Sequence, residues 1–181
     1  MTEVLIKRLS KNIELPKYET NGSSGMDLSA NIEKQIKIEP GKTSIIPTGI
    51  SVSIPKNFEI QIRSRSGLAA KSQISVLNSP GTIDADYRGE LKVILINLSN
   101  KTFVVEKGTR IAQMVLCPIV KVKFKEVDSL DDTDRGAGGF GSTGLKWYMR
   151  LGLKDFKRFE KQIILKNIGV AGQKKILNAK V

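Results

Sequence analysis

The sequence predicts an all-β protein, an antiparallel barrel or jelly roll, over its first 125 residues. Short stretches rich in β-branched residues recur through this region. Several of them alternate apolar and polar positions with the period of two that turns one face of a strand towards a core. Glycine and proline turns separate the stretches at regular intervals. Many short strands joined by such turns are typical of antiparallel barrels and jelly rolls.

The predicted elements follow one another along this region. The strands are Val4–Ile6, Ile36–Ile38, Thr43–Ile46, Ile50–Ile54, Phe58–Ile62, Leu91–Ile96, Thr102–Val105, Ile111–Leu116 and Val120–Phe124. Pro40-Gly41, Pro47, Pro55-Lys56-Asn57, Pro80-Gly81 and Lys107-Gly108 mark turns between them. One short helix is predicted at Gly67–Lys71.

The composition is that of a soluble globular protein with one main domain. The chain has 181 residues, 40% hydrophobic and 27% charged, so a packed core is expected. No apolar run approaches the ~20 residues that span a bilayer, and the first residues lack the pattern of a signal peptide. The single cysteine, Cys117, lies in an apolar run and is expected to be a buried structural thiol. These features predict a cytoplasmic protein without a membrane partner.

The absence of histidine limits the chemistry of the chain. Ser-His-Asp and Cys-His catalysis are excluded, and so are zinc sites with histidine ligands. Acid-base work must fall to carboxylates, lysines or tyrosines. Any metal is expected to be a hard ion that is bound through oxygen.

The net charge of +12 is concentrated near the end of the chain. Residues 145–181 hold 10 of the 30 basic residues and 2 of the 18 acidic ones, which leaves the rest of the chain only mildly basic. We therefore distinguish three regions: a β-barrel domain at 1–127, a glycine-rich arm at 128–144, and a basic extension at 145–181. The arm cannot form a core of its own and is expected to be mobile.

Two segments early in the chain carry charged residues beside small ones. In Gly25–Ala30 the lone Asp27 is a candidate site residue, although taken alone it is better explained as a turn residue. In Arg63–Ala69 two arginines precede Ser66 and Gly67 at a predicted helix start. Guanidinium forks match phosphate oxygens and exposed helix amides favour anions, so this segment suits a phosphate. A solvated basic edge strand is the alternative.

The segment Asn78–Gly89 is predicted to be a hairpin that carries Asp84, Asp86 and Tyr87 between tight turns. A backbone hairpin can bind the edge of a pyrimidine, and a tyrosine can pack on a sugar. Without histidine, an aspartate is the natural group to activate water. A charged hairpin tip without function is the alternative.

Two further segments follow. Gly108–Met114 is a turn that enters a buried strand, with Gln113 as its candidate polar contact. Asp134–Gly144 offers glycine amides, an arginine and two hydroxyls, which suit the wrapping of phosphates, and its Phe140 can stack on a base. The tract lacks the Gly-Lys-Ser/Thr ending of a P-loop. A flexible linker is the alternative.

In this order and spacing, the five segments resemble the five motifs of the trimeric dUTPase family, over about residues 1–144. The resemblance implies a jelly-roll β-barrel that forms a homotrimer, with segments of all three chains in each active site. It also implies an enzyme that splits dUTP into dUMP and pyrophosphate with Mg²⁺. Such an enzyme limits uracil in DNA and supplies dUMP for dTTP synthesis.

The resemblance further implies a role for individual residues. Asp84 would activate the water that attacks the α-phosphorus, and Asp27 would hold Mg²⁺ through bound water. The phosphate contacts would be Arg65, Ser66, Gly67 and Gln113. The uracil would lie against Asn78, Gly81 and Ile83, with Tyr87 against the sugar to disfavour ribose. From the arm, Phe140 would cover the uracil, with Arg135, Gly141, Ser142 and Thr143 closing on the γ-phosphate.

Residues from about 150 to 181 resemble a different family. Arg158 to Leu165, with the glycines that follow, is similar to the opening of the adenylyltransferases that activate ubiquitin-like and sulfur-carrier proteins. The glycine-rich nucleotide-binding turn of that family does not occur here, and Lys161 stands where the family usually has arginine. No adenylyltransferase activity is therefore expected. The alternative is a basic extension with an apolar helical stripe, which packs on the trimer or contacts nucleic acid.

Two other functions compete with dUTP hydrolysis. A dCTP deaminase shares the fold but needs an acid-base group beside the cytosine amine, usually a glutamate, where this chain carries Asp84 and Tyr87. A regulatory or nucleic-acid-binding module would use the basic extension, and its binding would weaken with salt and on deletion of residues 145–181.

Overall fold

The computed structural model describes residues 2–11, 13–139, 157–161 and 169–178, which belong to two compact units, Met1–Phe124 and Lys125–Val181. The strands are β1 (Leu5–Arg8), β2 (Met26–Ser29), β3 (Ile36–Ile38), β4 (Thr43–Pro47), β5 (Ile50–Ser53), β6 (Phe58–Arg63), β7 (Ile74–Val76), β8 (Gly81–Ile83), β9 (Lys92–Asn97), β10 (Phe103–Val105) and β11 (Arg110–Pro118). The helices are α1 (Ser66–Ser72) in the first unit and α2 (Gly169–Asn178) in the second. Residues 157–161 are also helical.

The strands of the first unit pair antiparallel in four sheets. Their orders are β1-β5, β3-β10, β4-β9-β7 and β2-β11-β6-β8. Buried residues from strands of all four sheets form one hydrophobic core. In β6, β7 and β9 alternate residues point into it. Leu28, Ile38, Ile46 and Ile50 represent the four sheets in it. The all-β prediction is confirmed for this unit.

Most of the predicted elements agree with the structure. Every strand predicted before Pro118 overlaps an observed one, and the predicted helix at Gly67–Lys71 is α1, one residue longer at each end. The sequence analysis did not identify β2, β7 or β8 as strands. These strands have three or four residues, and Asp27, Ser29 and Ser75 interrupt the runs of β-branched residues that revealed the others. Cys117 is half-buried rather than buried, because β11 reaches the edge of the fold at Pro118.

The predicted strand Val120–Phe124 is wrong. No strand is assigned to these residues. Val120, Val122 and Phe124 are 89%, 70% and 91% exposed, and no strand in the described ranges pairs with them. Alternation of side chains indicates which residues share a face, but a strand also needs a neighbour for its backbone hydrogen bonds.

The predicted hairpin at Asn78–Gly89 is also corrected. Its first half forms β8, which pairs with β6 through Ile60↔Ile83 and Ile62↔Gly81. The residues after Ile83 form turns and carry no strand. The segment therefore extends an existing sheet rather than folding on itself.

The second unit contains the arm and the basic extension. Neither the predicted mobility of the arm nor the predicted helix over the whole extension is tested by the residues that the structure describes there. Within the described residues, no helix has both the length and the apolar character needed to cross a bilayer.

Candidate active site

A cluster of charged side chains lies around Asp27 in the centre of β2. Asp27 faces Gln113 of β11, and Gln113 faces Arg63 of β6, so the register places all three at one level of the sheet. Arg65 comes just after β6. Its Nε donates to Asp27 Oδ1 over 2.8 Å and its Nη2 donates to Oδ2 over 3.2 Å. This two-point contact fixes the plane of the guanidinium group.

Arg110, the first residue of β11, also contacts Asp27. Its Nη1 donates to Asp27 Oδ2 over 3.1 Å, and its carbonyl oxygen accepts a hydrogen bond of 3.3 Å from Arg65 Nη1. Asp27 thus forms ion pairs with both Arg65 and Arg110. The side chains of Asp27 and Arg65 are only 20% and 25% exposed. One negative charge between two positive ones leaves this surface favourable to an anion.

The segment that follows Arg65 opens α1. Arg65 occupies the N-cap position without a side-chain cap, so the first backbone N–H groups of α1 donate no hydrogen bond to its side chain. Ser66 and Gly67 are exposed, and a Cβ built on Gly67 would meet no atom within 4 Å. The predicted phosphate segment therefore presents an arginine, a hydroxyl and open backbone amides on one surface.

Gln113 has a structural role that the sequence did not reveal. Its Nε2 donates to the carbonyl oxygen of Ser64 over 3.1 Å, which holds the approach to Arg65 against β11. A Cβ at Gly25 would lie 2.9 Å from Gln113 Oε1 and 3.2 Å from the carbonyl oxygen of Met114. Glycine is needed at position 25 because β2 and β11 approach so closely there.

Asp84 lies on a different part of the surface. It is exposed and lines an open cleft together with Lys56, Asp86, Arg88 and Lys121. The carboxylate therefore has positive side chains near it and direct access to solvent. An aspartate in this setting is able to accept a proton from a water molecule.

The turn after Asp84 holds the aromatic ring of Tyr87. The N–H of Tyr87 donates to the carbonyl oxygen of Asp84 over 3.1 Å, and the Tyr87 hydroxyl donates to the carbonyl oxygen of Glu90 over 3.0 Å. Tyr87 remains 43% exposed. Asn78 packs over Gly81, where a Cβ would come within 3.1 Å of Asn78 Nδ2. The predicted pyrimidine and sugar contacts thus lie in one short segment.

Within one chain, the Asp27 cluster and the Asp84 cleft are separate. Asp27 is level with Arg63, whereas Asp84 comes one residue after Ile83, which faces Ile60. At about 3.3 Å per residue and about 4.8 Å between neighbouring strands, this register places the Cα atoms of Asp27 and Asp84 roughly 20 Å apart along the sheet. They also line different clefts. A single chain therefore does not bring the predicted phosphate-binding residues close to Asp84, the predicted base that activates water.

Asp27 is the candidate residue for holding a magnesium ion. In the part of the chain that the structure describes, no group of three or more His, Cys, Asp or Glu side chains is placed to hold a metal ion. Magnesium needs no such group when a phosphate supplies most of its ligands, because it keeps several waters and takes one or two carboxylates. Asp27 Oδ1 accepts one hydrogen bond and retains a lone pair for such a water. The donor set fits a magnesium ion held through water.

The predicted arm residues belong to the second unit. Arg135 Nε donates to the carbonyl oxygen of Gly138 over 2.8 Å, and Gly138 N–H donates back to the Arg135 carbonyl over 3.0 Å. The arm therefore turns tightly at its first glycines. The remaining predicted arm contacts, Phe140, Gly141, Ser142 and Thr143, lie outside the described residues.

Several charged residues of the site were missed from the sequence. Arg110 was not singled out, although it lies three residues before Gln113 in the same segment. The cleft cations Lys56, Arg88 and Lys121 were also missed. Only the pairing of β2 with β11 and the turn at Asn57 bring these side chains to the sites, since Ile119 N–H donates to the Asn57 carbonyl there. The sequence gives no signal for these residues when the pairing of the strands is unknown.

Fold and site together define a β-protein that handles a phosphorylated small molecule. The chain belongs to the dUTPase family, because the dUTPase family model matches residues 11–144. It is 56% identical over 146 residues to the deoxyuridine 5'-triphosphate nucleotidohydrolase of Rickettsia bellii (strain OSU 85-389), across 80% of this chain and 97% of that protein. It is 52% identical over 145 residues to the protein of the same name from Fusobacterium nucleatum, across 80% of this chain and 99% of that protein.

A solved structure agrees with the sequence comparison. The dUTPase of Staphylococcus bacteriophage 80alpha, solved with dUpNHpp, matches with a TM-score of 0.70 and 28% identity, across 80% of this chain and all of that chain. The family match ends at residue 144, so it gives no support to the resemblance of the tail to adenylyltransferases.

Proposed function

We propose that the chain hydrolyses dUTP to dUMP and pyrophosphate. The observation that carries this proposal is its identity of 52–57% to curated deoxyuridine 5'-triphosphate nucleotidohydrolases such as those of Rickettsia and Fusobacterium, along nearly their full length. The activity removes dUTP, which limits uracil in DNA, and supplies dUMP for dTTP synthesis.

In the proposed mechanism Asp84 is the general base. Its exposed carboxylate takes a proton from a water molecule, whose oxygen attacks the α-phosphorus of dUTP and displaces pyrophosphate. No covalent intermediate is needed, so the rate depends on positioning and on charge neutralisation at the phosphates. The cations that line the Asp84 cleft support this assignment by favouring an anionic substrate nearby.

The Asp27 cluster is proposed to hold the triphosphate. Arg65 donates three of its five N–H groups to Asp27 and to the Arg110 carbonyl, which fixes the plane of the guanidinium group. Its two remaining N–H groups are then available to bind a phosphate. Ser66 and Gly67 add a hydroxyl and backbone amides. Gln113 was proposed as a direct phosphate contact; its hydrogen bond to Ser64 supports a role in holding this segment as well.

Mg²⁺ is the proposed cofactor. When bound, it neutralises charge on the triphosphate oxygens. Asp27 would hold it through water, while Asp27 also orients Arg65. The two roles are compatible because the carboxylate has more lone pairs than its hydrogen bonds to the arginines use.

The nucleoside is proposed to bind at the segment from Asn78 to Tyr87. Asn78, Gly81 and Ile83 would line the uracil, and the Tyr87 ring would pack on the deoxyribose where a ribose 2′-hydroxyl does not fit. Gly81 supports this, since a side chain there would press on Asn78. Arg135, Phe140, Gly141, Ser142 and Thr143 of the arm would then cover the bound nucleotide.

The proposed assembly is a jelly-roll homotrimer with shared sites. The separation of about 20 Å between Asp27 and Asp84 within one chain supports it, because only a second chain can bring an Arg65 segment to each Asp84. The outer face of β4-β9-β7 offers a surface for that contact. Ile45 and Leu77 both lie beside Ile94 on this face and are 59% and 51% exposed.

The basic extension stays a separate question. Its resemblance to the opening of the ubiquitin-activating-enzyme-like adenylyltransferases is retained as a hypothesis about its origin, and contact with nucleic acid through residues 145–181 is the alternative. Binding of DNA that weakens with salt and disappears on deletion of these residues would favour the alternative.

The proposed activity is tested by pyrophosphate release with Mg²⁺ present. Purified protein is expected to hydrolyse dUTP and to leave dCTP and dTTP largely intact. Asp84→Asn removes the base and is expected to lower kcat by at least about a hundredfold. Glu33→Gln, which removes the charge of an exposed carboxylate outside the proposed site, is the control and should keep the rate. Full activity of Asp84→Asn would disprove the assigned role.

A further inference from the structure

Glu90 links the turn that carries Tyr87 to a buried part of the fold. Glu90 Oε1 accepts a hydrogen bond of 2.8 Å from the backbone N–H of Gly49. Gly49 is buried and has a φ of +72°, which favours glycine, and β5 starts at the next residue. The residues next to this pair are also connected by a hydrogen bond, because the Thr48 hydroxyl donates to the Leu91 carbonyl over 2.6 Å. Thr48 and Leu91 are both buried, so this hydrogen bond anchors the backbone on the C-terminal side of Glu90.

The backbone of Glu90 in turn receives the Tyr87 side chain. Its carbonyl oxygen accepts the hydrogen bond of 3.0 Å from the Tyr87 hydroxyl. The ring lies against Gly89, where a Cβ would come within 2.5 Å of Tyr87 Cζ. The ring therefore has a defined position although 43% of Tyr87 is exposed.

We propose that Glu90 is a positioning residue for Tyr87 and thereby sets the preference of the site for deoxyribose over ribose. The inference rests on the proposed function, in which the Tyr87 ring packs on the sugar. The Glu90 carboxylate does not touch the substrate; it holds the carbonyl group that fixes the ring. When the contact with Gly49 is lost, this carbonyl and the ring shift together, and a 2′-hydroxyl finds room.

The test compares kcat/KM for dUTP and UTP in the wild type, Glu90→Ala and Glu90→Gln. Glu90→Ala leaves the Gly49 N–H without its partner and is expected to lower the dUTP/UTP ratio about tenfold, the effect of one positional hydrogen bond. Most of the change should be a rise in kcat/KM for UTP, with kcat for dUTP within about twofold of the wild type. Glu90→Gln keeps an oxygen that accepts from Gly49 and should keep the ratio.

Two further variants make the result decisive. Tyr87→Phe removes only the hydroxyl that meets the Glu90 carbonyl and should lower the ratio by a similar factor. Glu39→Ala is the matched control, because exposed Glu39 also accepts a single hydrogen bond, 2.6 Å from the Thr102 hydroxyl, far along the chain from Tyr87. It should leave the ratio unchanged.

The proposal is overturned if folded Glu90→Ala keeps the wild-type ratio, or if Glu90→Gln loses as much as Glu90→Ala. If Glu90→Ala does not fold, Tyr87→Phe decides, and an unchanged ratio there overturns the proposal. A wild-type protein that leaves dUTP intact would instead refute the proposed function. Hydrolysis of dUTP with an unaltered ratio in the variants would refute the positioning role alone.

Discussion

Replacing Gly89 with alanine is expected to displace the Tyr87 ring while leaving the fold intact. A Cβ at this position would lie 2.5 Å from Tyr87 Cζ and 3.0 Å from Cε2. Carbon atoms in ordinary contact lie about 3.5–4.0 Å apart, so the ring must move by at least about 1 Å. The hydroxyl then loses its hydrogen bond of 3.0 Å to the Glu90 carbonyl.

The displacement should cost activity rather than stability. Tyr87 is 43% exposed, so its ring can rotate towards solvent. Gly89 does not have a positive φ, so its backbone accommodates alanine without strain. The alanine methyl group drives the ring out of its position, whereas Glu90→Ala only loosens the support of the ring, so the effect on dUTP is larger here. A misplacement of about 1 Å lowers activity by up to about a hundredfold, and we expect kcat/KM for dUTP to fall between about tenfold and a hundredfold.

This prediction is tested by measuring kcat/KM for dUTP from steady-state pyrophosphate release and the stability of the protein from thermal unfolding. Gly22→Ala is the control, since a Cβ on Gly22 meets no atom within 4 Å. It should change neither quantity. Gly89→Ala with wild-type kcat/KM would refute the placement of the ring, and a large loss of thermal stability would show that the ring cannot move as described.

Three other variants test the fold by urea unfolding, which measures the free energy of unfolding. Gly49→Ala combines a left-handed φ of +72° with a Cβ only 2.5 Å from Asn31 Nδ2, so it should lower the free energy of unfolding by about 2–5 kcal/mol. Gly41→Ala has a similar φ of +71° but open space around the Cβ, so it should lower the free energy of unfolding by only about 1–2 kcal/mol. Equal losses would contradict the close approach at Gly49. Arg110→Gln removes one of two cations on Asp27, and because its side chain is 52% exposed the loss should stay within about 1 kcal/mol. A loss beyond about 2 kcal/mol would mean that Arg110, not Arg65, is the main partner of Asp27.

The strands that the sequence predicted well are those with clear alternation and a partner within the chain. β9 shows this, because Val93 and Leu95 are buried while Ile94 lies on the other face. Val120–Phe124 alternates in the same way but pairs with no strand in the described part of the chain. The pattern reports the preference of a residue for a strand and not the presence of a neighbour.

The sequence predicted the candidate site residues one at a time and did not predict how they lie relative to one another. Asp27 and Arg65 were predicted for different tasks, as a metal ligand and a phosphate ligand, yet they form an ion pair across 38 positions of sequence. Their contact depends on the order β2-β11-β6, which no local pattern in the chain specifies. The same lack of register hid Arg110 and the link between Glu90 and Gly49.

We propose that each active site combines Asp84 of one chain with the Arg65 segment of another. Asp84→Asn and Arg65→Ala are each expected to be inactive, and the two variants can be unfolded and refolded together. In randomly mixed oligomers about one quarter of the shared sites carry both intact residues, so the mixture should regain about a quarter of the wild-type rate of dUTP hydrolysis. If the mixture stays as inactive as its two parents, each chain builds its own site and the account is wrong.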